Sequence, residues 1–223
     1  GKLSPLPIPK KVTPNNETLI SYVTNSTQLE KATLRYTIDD WKNTSQINMV
    51  IDNRTCNVTI PKQQAGTIVK YTVQANDILK NNLNATGNFT VKNDSQITNF
   101  NATKNPLVLG NNITVTGTVS TQTADTPIQV KFTLLNETKN VNCVALDNGT
   151  FTASFAPQTS GVWTAQAFFK GNDKAYETES DIIPITVNEP TFIQKNGLFL
   201  GVGFIGAMGA VGAVVYVKKY RGS

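Results

Sequence analysis

From Thr18 onward the chain alternates polar and apolar residues in short runs separated by turn-forming residues. Leu19, Ser21 and Val23 share one phase, and the same step of two recurs at Ala32, Leu34 and Tyr36, at Cys56, Val58 and Ile60, at Val69, Tyr71, Val73 and Ala75, and at Phe89 and Val91. A period of two puts alternate side chains on opposite sides of an extended backbone, so these runs predict strands buried on one face. The pattern restarts near Ile97, with Ile113, Val115 and Val119, then Val130, Phe132 and Leu134, then Phe151, Ala153 and Phe155, then Trp163, Ala165 and Ala167, then Ile183 and Ile185. Asp147-Asn148-Gly149 and Ser160-Gly161 supply turns. No helical period is sustained before residue 197. The expectation is a mainly β chain with two tandem sandwiches, at 15–94 and 95–188, joined near Asn93 to Gln96. Pro5, Pro7, Pro9 and Pro14 exclude helix from 1–14, which reads as an extended lead-in, polyproline-like or an edge strand.

The last stretch has a different pattern. Gly197 to Val217 carries no charge and is followed by Lys218, Lys219 and Arg221. At about 1.5 Å per residue a helix of this length crosses the roughly 30 Å hydrocarbon core of a bilayer. The basic residues on one side predict a cytoplasmic tail at 218–223, with everything before Asn196 outside the plasma membrane. Asn188-Glu189-Pro190 would lead into the anchor as a short stiff hinge, with residues 189–196 the juxtamembrane segment. At about 100° per residue, Gly203, Gly206, Ala207, Ala210 and Ala213 share one helix face, with Phe204, Ile205, Met208, Val211 and Val215 opposite. Small residues let a second helix approach closely in lipid, so this face is the expected packing surface for a membrane partner. The chain starts at Gly1, without Met or an apolar leader, which reads as a mature or truncated form of an exported protein.

Charge then narrows the classes. The formal net charge is +5, but three of the 20 Lys+Arg lie in the tail, leaving 17 against 15 acidic residues outside. No basic stripe with interleaved aromatics is present, so a nucleic-acid partner is not expected. Only 16% of residues are charged; Asn and Thr provide the polarity instead. Asn-x-Ser/Thr sequons stand at Asn16, Asn25, Asn43, Asn53, Asn57, Asn84, Asn88, Asn93, Asn101, Asn112, Asn136 and Asn148. Chance at this composition gives about four or five, so N-linked glycans are expected to supply the missing hydration. In Asn57-Val58-Thr59 and Asn88-Phe89-Thr90 the apolar middle residue points inward, which turns the acceptor Asn outward.

The chain has no histidine. That removes the commonest general base, the Ser-His-Asp and Cys-His arrangements and most zinc and copper sites. The two cysteines are too few for a Cys₄ or iron–sulfur centre. No cofactor is expected and no enzymatic activity. Asp39 and Asp40 beside Trp41, with Asp52 and Asp77, form the densest acidic group. They lack calcium-loop spacing and read as turn formers, with an enzyme or glycan-binding cleft around Asp39, Asp40 and Trp41 as the rival. Cys56 and Cys143 fall one in each sandwich; outside the cell they could bridge, although Cys56 is in phase with Val58 and Ile60 and so faces its own core.

Trp41, then Ile60-Pro61, then the run from Ala65-Gly66-Thr67 to Ala75-Asn76-Asp77, resembles the E-to-F strand region of fibronectin-III/immunoglobulin-like modules of prokaryotic surface proteins. Asn148-Gly149-Thr150-Phe151, Ser160-Gly161-Val162-Trp163-Thr164-Ala165, Gly171-Asn172-Asp173 and Tyr176 are similar to a second such module. With the sequons and the apolar C-terminal run, the chain resembles archaeal-type cell-surface glycoproteins. The resemblance implies a non-catalytic envelope scaffold, spacer or interaction module, for example beneath or within a surface layer. The alternative is an extracytoplasmic accessory subunit of a multi-subunit membrane complex, docked through its small-residue helix face. Fold motifs of this kind do not name a partner.

Overall fold

The computed structural model describes residues 1–121 and 125–191. Every regular element in them is a strand. Among the described residues no helix is long and apolar enough to cross a membrane. The expected span 197–217, with its Gly203, Gly206, Ala207, Ala210 and Ala213 face, lies outside them, as does the tail.

Eight strands build the first half. They are β1 (Leu3–Pro5), β2 (Thr18–Thr24), β3 (Leu29–Thr37), β4 (Ser45–Asn48), β5 (Val50–Asp52), β6 (Thr55–Ile60), β7 (Ile68–Asp77) and β8 (Asn82–Thr90). They pair as two four-stranded sheets, β1-β2-β6-β5 and β4-β3-β7-β8. Between the sheets lies one core in which Ile20, Tyr22, Leu34, Cys56, Ile60, Val69, Tyr71 and Val73 are almost wholly buried. The alternation makes this unavoidable: β7 buries every second residue from Val69 to Asp77.

The second half has β9 (Ile97–Ala102), β10 (Leu107–Val108), β11 (Ile113–Val119), β12 (Thr126–Leu134), β13 (Glu137–Ala145), β14 (Thr150–Phe155), β15 (Gly161–Phe169), β16 (Thr178–Glu179) and β17 (Ile183–Asn188). A three-stranded sheet, β14-β11-β9, faces a six-stranded one, β10-β17-β15-β12-β13 with β16 on β15. Its separate core centres on Trp163, Phe132, Ile113, Val130 and Ile185. Phe155 packs edge-on to Trp163 at 5.0 Å and against Phe132 at 4.7 Å between ring centroids. β10 runs parallel to β17, pairing Leu107 with Val187 and Val108 with Asn188. The Asn105 amide doubles this contact: its Nδ2 donates to the Pro184 carbonyl at 2.9 Å and its Oδ1 accepts from the Thr186 amide at 2.9 Å.

One expectation changes. In β2 the inward set is Thr18, Ile20, Tyr22 and Thr24, and Leu19 is 52% exposed, so the strand is in the opposite phase to the Leu19, Ser21, Val23 reading. Both phases carry apolar residues, and the bulkier Ile20 and Tyr22 take the core. Residues 1–14 take the edge-strand form among the readings open to them: Leu3 and Val12 are buried in the first core, and β1 is an edge strand on β2. Prolines suit it, since an edge strand need not offer every N–H to a ladder.

Glycine appears where a side chain cannot. Gly87 lies under the Tyr71 ring, and an added Cβ would meet the phenol oxygen at 2.3 Å. Gly149, at φ 81°, ends the turn before β14 and leaves no room for a Cβ against the Val119 carbonyl.

Candidate functional site

Three surface features carry the functional reading: the junction between the cores, the distribution of sequons, and the β3–β4 turn.

At the junction the connecting segment is stitched to the loop 171–176 that follows β15. The Asn93 amide donates to the Lys174 carbonyl at 2.7 Å, and the Tyr176 amide donates to the Asn93 carbonyl at 2.9 Å, an isolated parallel bridge. The Ser95 hydroxyl donates to the Tyr176 carbonyl, and Lys92 Nζ to that of Asn172 at 2.7 Å. The loop is preset for this: Gly171 takes φ 78°, and Asn172 Oδ1 accepts from the Lys174 and Ala175 amides, both at 2.8 Å. The Tyr176 hydroxyl then reaches across to buried Val12, accepting from its amide at 2.6 Å and donating to its carbonyl at 3.1 Å. Lys92 N also donates to that carbonyl at 2.9 Å, so Val12, Lys92 and Tyr176 form one node. Lys11 adds an exposed ion pair to Asp94 at 3.3 Å, of little energetic weight, and sits 5.4 Å from the Tyr176 ring centroid. Sequence reasoning marks Tyr176 only as part of a motif, because its partner lies 164 positions away.

The cysteines do not make the interdomain clamp that one in each half allowed. Both are free; Cys56 is buried in the first core, while Cys143 on β13 is half-buried against the second. Burial pushes the Cys56 thiol up to about 11, an effect that a backbone hydrogen bond at Tyr22 only partly offsets, and burial raises Cys143 as well. Native protein at pH 7.5 is therefore expected to react with maleimide slowly at Cys143 and more slowly still at Cys56. Both should label at once in denaturant without reductant. Labelling that requires reductant would mean a bridge exists.

Of the twelve sequon asparagines, eleven are exposed and Asn57 is half-buried. Those within strands are Asn57 on β6, Asn84 and Asn88 on β8, and Asn101 on β9. They mark three of the four sheets. No sequon asparagine lies in a strand of the six-stranded sheet. Its outward side shows Gln129, hydrogen-bonded across strands to Asn142 at 3.2 Å, with exposed Val144 and Val162. A cleft of about 480 Å³ runs over it, edged by Pro127, Phe168 and Lys170.

The acidic residues do not converge. Asp39 is tied into its own turn, accepting from the Thr37 hydroxyl at 2.8 Å, the Asn43 amide at 2.9 Å and Asn43 Nδ2 at 2.6 Å. Its bonds to Asn43 first, then that to Thr37, lower its carboxyl to about 2. Asp40 pairs with Lys70 at 2.6 Å. Asp52 ends β5. Asp77 is wholly buried at the other end of the strands, its Oδ1 accepting from the Leu79 and Asn81 amides and its Oδ2 from Ser26 Oγ at 2.7 Å and Asn81 Nδ2 at 2.8 Å. Among the described residues no group of three or more acidic or cysteine side chains could hold a metal. Trp41 is not a core residue but 41% exposed, on the turn itself.

The Asp77 bonds give a pH prediction. The Asn81 side chain first, then Ser26 and the Asn81 backbone, favour its ionised form and depress the folded pKa despite burial. Its contribution is present above the unfolded value of about 3.9 and is lost as pH falls below it. Urea midpoints of wild type should drop between pH 4 and 2. An Asp77→Asn variant, less stable at pH 7, should show a flatter profile there, and parallel profiles would refute the assignment.

No family model matches the chain, and no curated protein does. Solved structures do share its strand arrangement in part. A tetra-tandem repeat from the extending region of a large adhesion protein is 13% identical at a TM-score of 0.38, covering 84% of this chain and 48% of that one. The FN1–FN3 domains of chicken CNTN1 give 12% and 0.37, covering 82% and 67%. Murine CEACAM1b gives 12% and 0.47, covering 84% and 100%. The chain thus spans about half the length of the adhesion repeat. The two β-sandwiches are defined by the strand pairing itself.

Proposed function

We propose that this chain is a non-catalytic, membrane-anchored, N-glycosylated cell-surface protein, an envelope scaffold, spacer or interaction module of archaeal type. The observation that carries it is where the sequons fall. Strand asparagines face outward on three sheets, while the six-stranded sheet has none in its strands and only Asn136 in its β12–β13 turn, so its broad outer side stays open, as a surface would be if glycans shielded the rest and left free the side that meets something. The junction suits a spacer, since hydrogen bonds on both sides of the linker hold one sandwich against the other. The anchor is the 197–217 run, and the protein partners are other membrane or surface-layer proteins.

A second reading, the accessory subunit of a membrane complex, draws on the same bare sheet, which belongs to the half nearer the anchor. Gentle detergent extraction from the native membrane, native-size separation and glycopeptide mass spectrometry test both. Recovery alone or with surface-layer protein, with sequons occupied, supports the scaffold. Recovery in fixed ratio with polytopic proteins, abolished by Gly203→Leu with Ala207→Leu, supports the subunit. A chain without glycans would sink the first reading.

A further inference from the structure

The β3–β4 turn presents a tryptophan that the fold does not need. Asp40 and Trp41 hold φ 59° and 69°, conformations that are strained for a bulky side chain and persist only where surrounding bonds impose them. Here Thr37 Oγ1 accepts from the Trp41 amide at 3.0 Å, and the Asp39–Asn43 bonds close the loop around it. The result is an indole turned back over the outer face of the β4-β3-β7-β8 sheet, on the wall of a cleft of about 350 Å³. Its other lining residues include Arg35, Thr72, Gln74 and Thr86, together with Asn84, itself a sequon acceptor whose Thr86 completes the sequon. The register is consistent: Arg35 pairs with Thr72 and Thr72 with Thr86, while Gln74 pairs with Asn84.

We infer that the cleft between Trp41 and Asn84 seats the first sugars of the glycan carried by Asn84. The inference rests on the N-glycoprotein reading above and gives one glycan a bound position. β3 and β8 are two inter-strand spacings apart, roughly 10 Å, a span that proximal pyranose rings bridge. The C–H groups on a pyranose face are the positive end of their bonds and meet the negative face of the indole, while Arg35, Thr72 and Gln74 offer donors and acceptors to ring hydroxyls. Such a contact is weak for a free sugar. A tethered sugar meets it at an effective concentration of order millimolar, and that is why the occupant is the chain's own glycan and not a soluble ligand. In the attachment step the Asn84 side-chain nitrogen forms a bond to the anomeric carbon of a lipid-phosphate-linked oligosaccharide. The anomeric C–O bond breaks, its electron pair leaves on the lipid phosphate, and the amide proton passes to base.

The full chain purified from its own membrane provides the test, because its two tryptophans differ so completely: Trp163 is wholly buried and Trp41 is not. Glycopeptide mass spectrometry reads Asn84 occupancy, and acrylamide quenching reads access to Trp41, before and after deglycosylation and in Thr86→Ala. The expected result is an occupied Asn84 and a quenching constant that rises at least about twofold when that glycan is removed, with no change in Asn88→Gln. Deglycosylation of the wild type needs no variant to fold. Occupied Asn84 with unchanged quenching overturns the inference and leaves the glycoprotein reading intact, as does an empty Asn84 beside occupied sequons elsewhere. A chain with no glycan at all overturns both.

Discussion

Replacing Trp163 with Ala is expected to remove about 3–5 kcal/mol from the second sandwich, a large share of the roughly 5–15 kcal/mol that a domain holds. The indole is the largest wholly buried side chain. It contacts Phe155, which in turn packs on Phe132, and its Nε1 donates to the Thr159 carbonyl at 3.1 Å. Truncation would leave a void that the strand-borne Phe155 and Phe132 cannot close and a carbonyl without its donor. At about 4–8 °C per kcal/mol the melting temperature of that half should fall by at least about 12 °C, while the first core should keep its own transition. Differential scanning calorimetry resolves the two. A single transition moving as a whole would mean the halves unfold together, and a shift of a few degrees would mean the site collapses far better than its packing suggests.

The second expected result concerns the junction. Tyr176→Phe keeps the ring but deletes both hydroxyl bonds to Val12, leaving a buried amide without its acceptor. The cost is about 1–3 kcal/mol. At 1.4 kcal/mol per tenfold, the population in which the N-terminal segment has lifted off rises roughly 5- to 150-fold. Hydrogen exchange at the Val12 amide should accelerate by that factor, while exchange within β7 and β15 stays unchanged. Unaltered protection at Val12 would show that its bond to Lys92 suffices alone.

How much of this is legible in the sequence depends on how loudly each element alternates. β6, β7, β11 and β15 bury alternate residues, and their inward sets can be read directly, whereas in β3, with a register shift between Leu29 and Lys31, Leu29 and Thr37 are buried out of phase with Ala32 and Leu34. β2 carries apolar residues on both faces, so period alone picks the wrong one. β13, Glu-Thr-Lys-Asn-Val-Asn-Cys-Val-Ala, shows almost no signal because it is an edge strand whose inward residues Val141 and Cys143 are only half-buried. Asp77 is foreseeable as a turn former from Asn81 four positions on, but its second support, Ser26, comes from another loop. The Val12–Tyr176 node and the Trp41–Asn84 cleft arise only once distant strands pair, and no local pattern announces either.

The parallel pairing of β10 with β17 has a mechanical consequence. A chain tethered beyond Asn188 and loaded from its other end is drawn in opposite directions on the two sides of that pair. Because the strands run the same way, the pull acts along them. The Leu107–Asn188 ladder, the Leu109 amide bond to the Asn188 carbonyl and the Asn105 clamp on Pro184 and Thr186 are then strained together in shear, instead of being peeled open one at a time. Under such a load the second sandwich would resist at this pair as a unit.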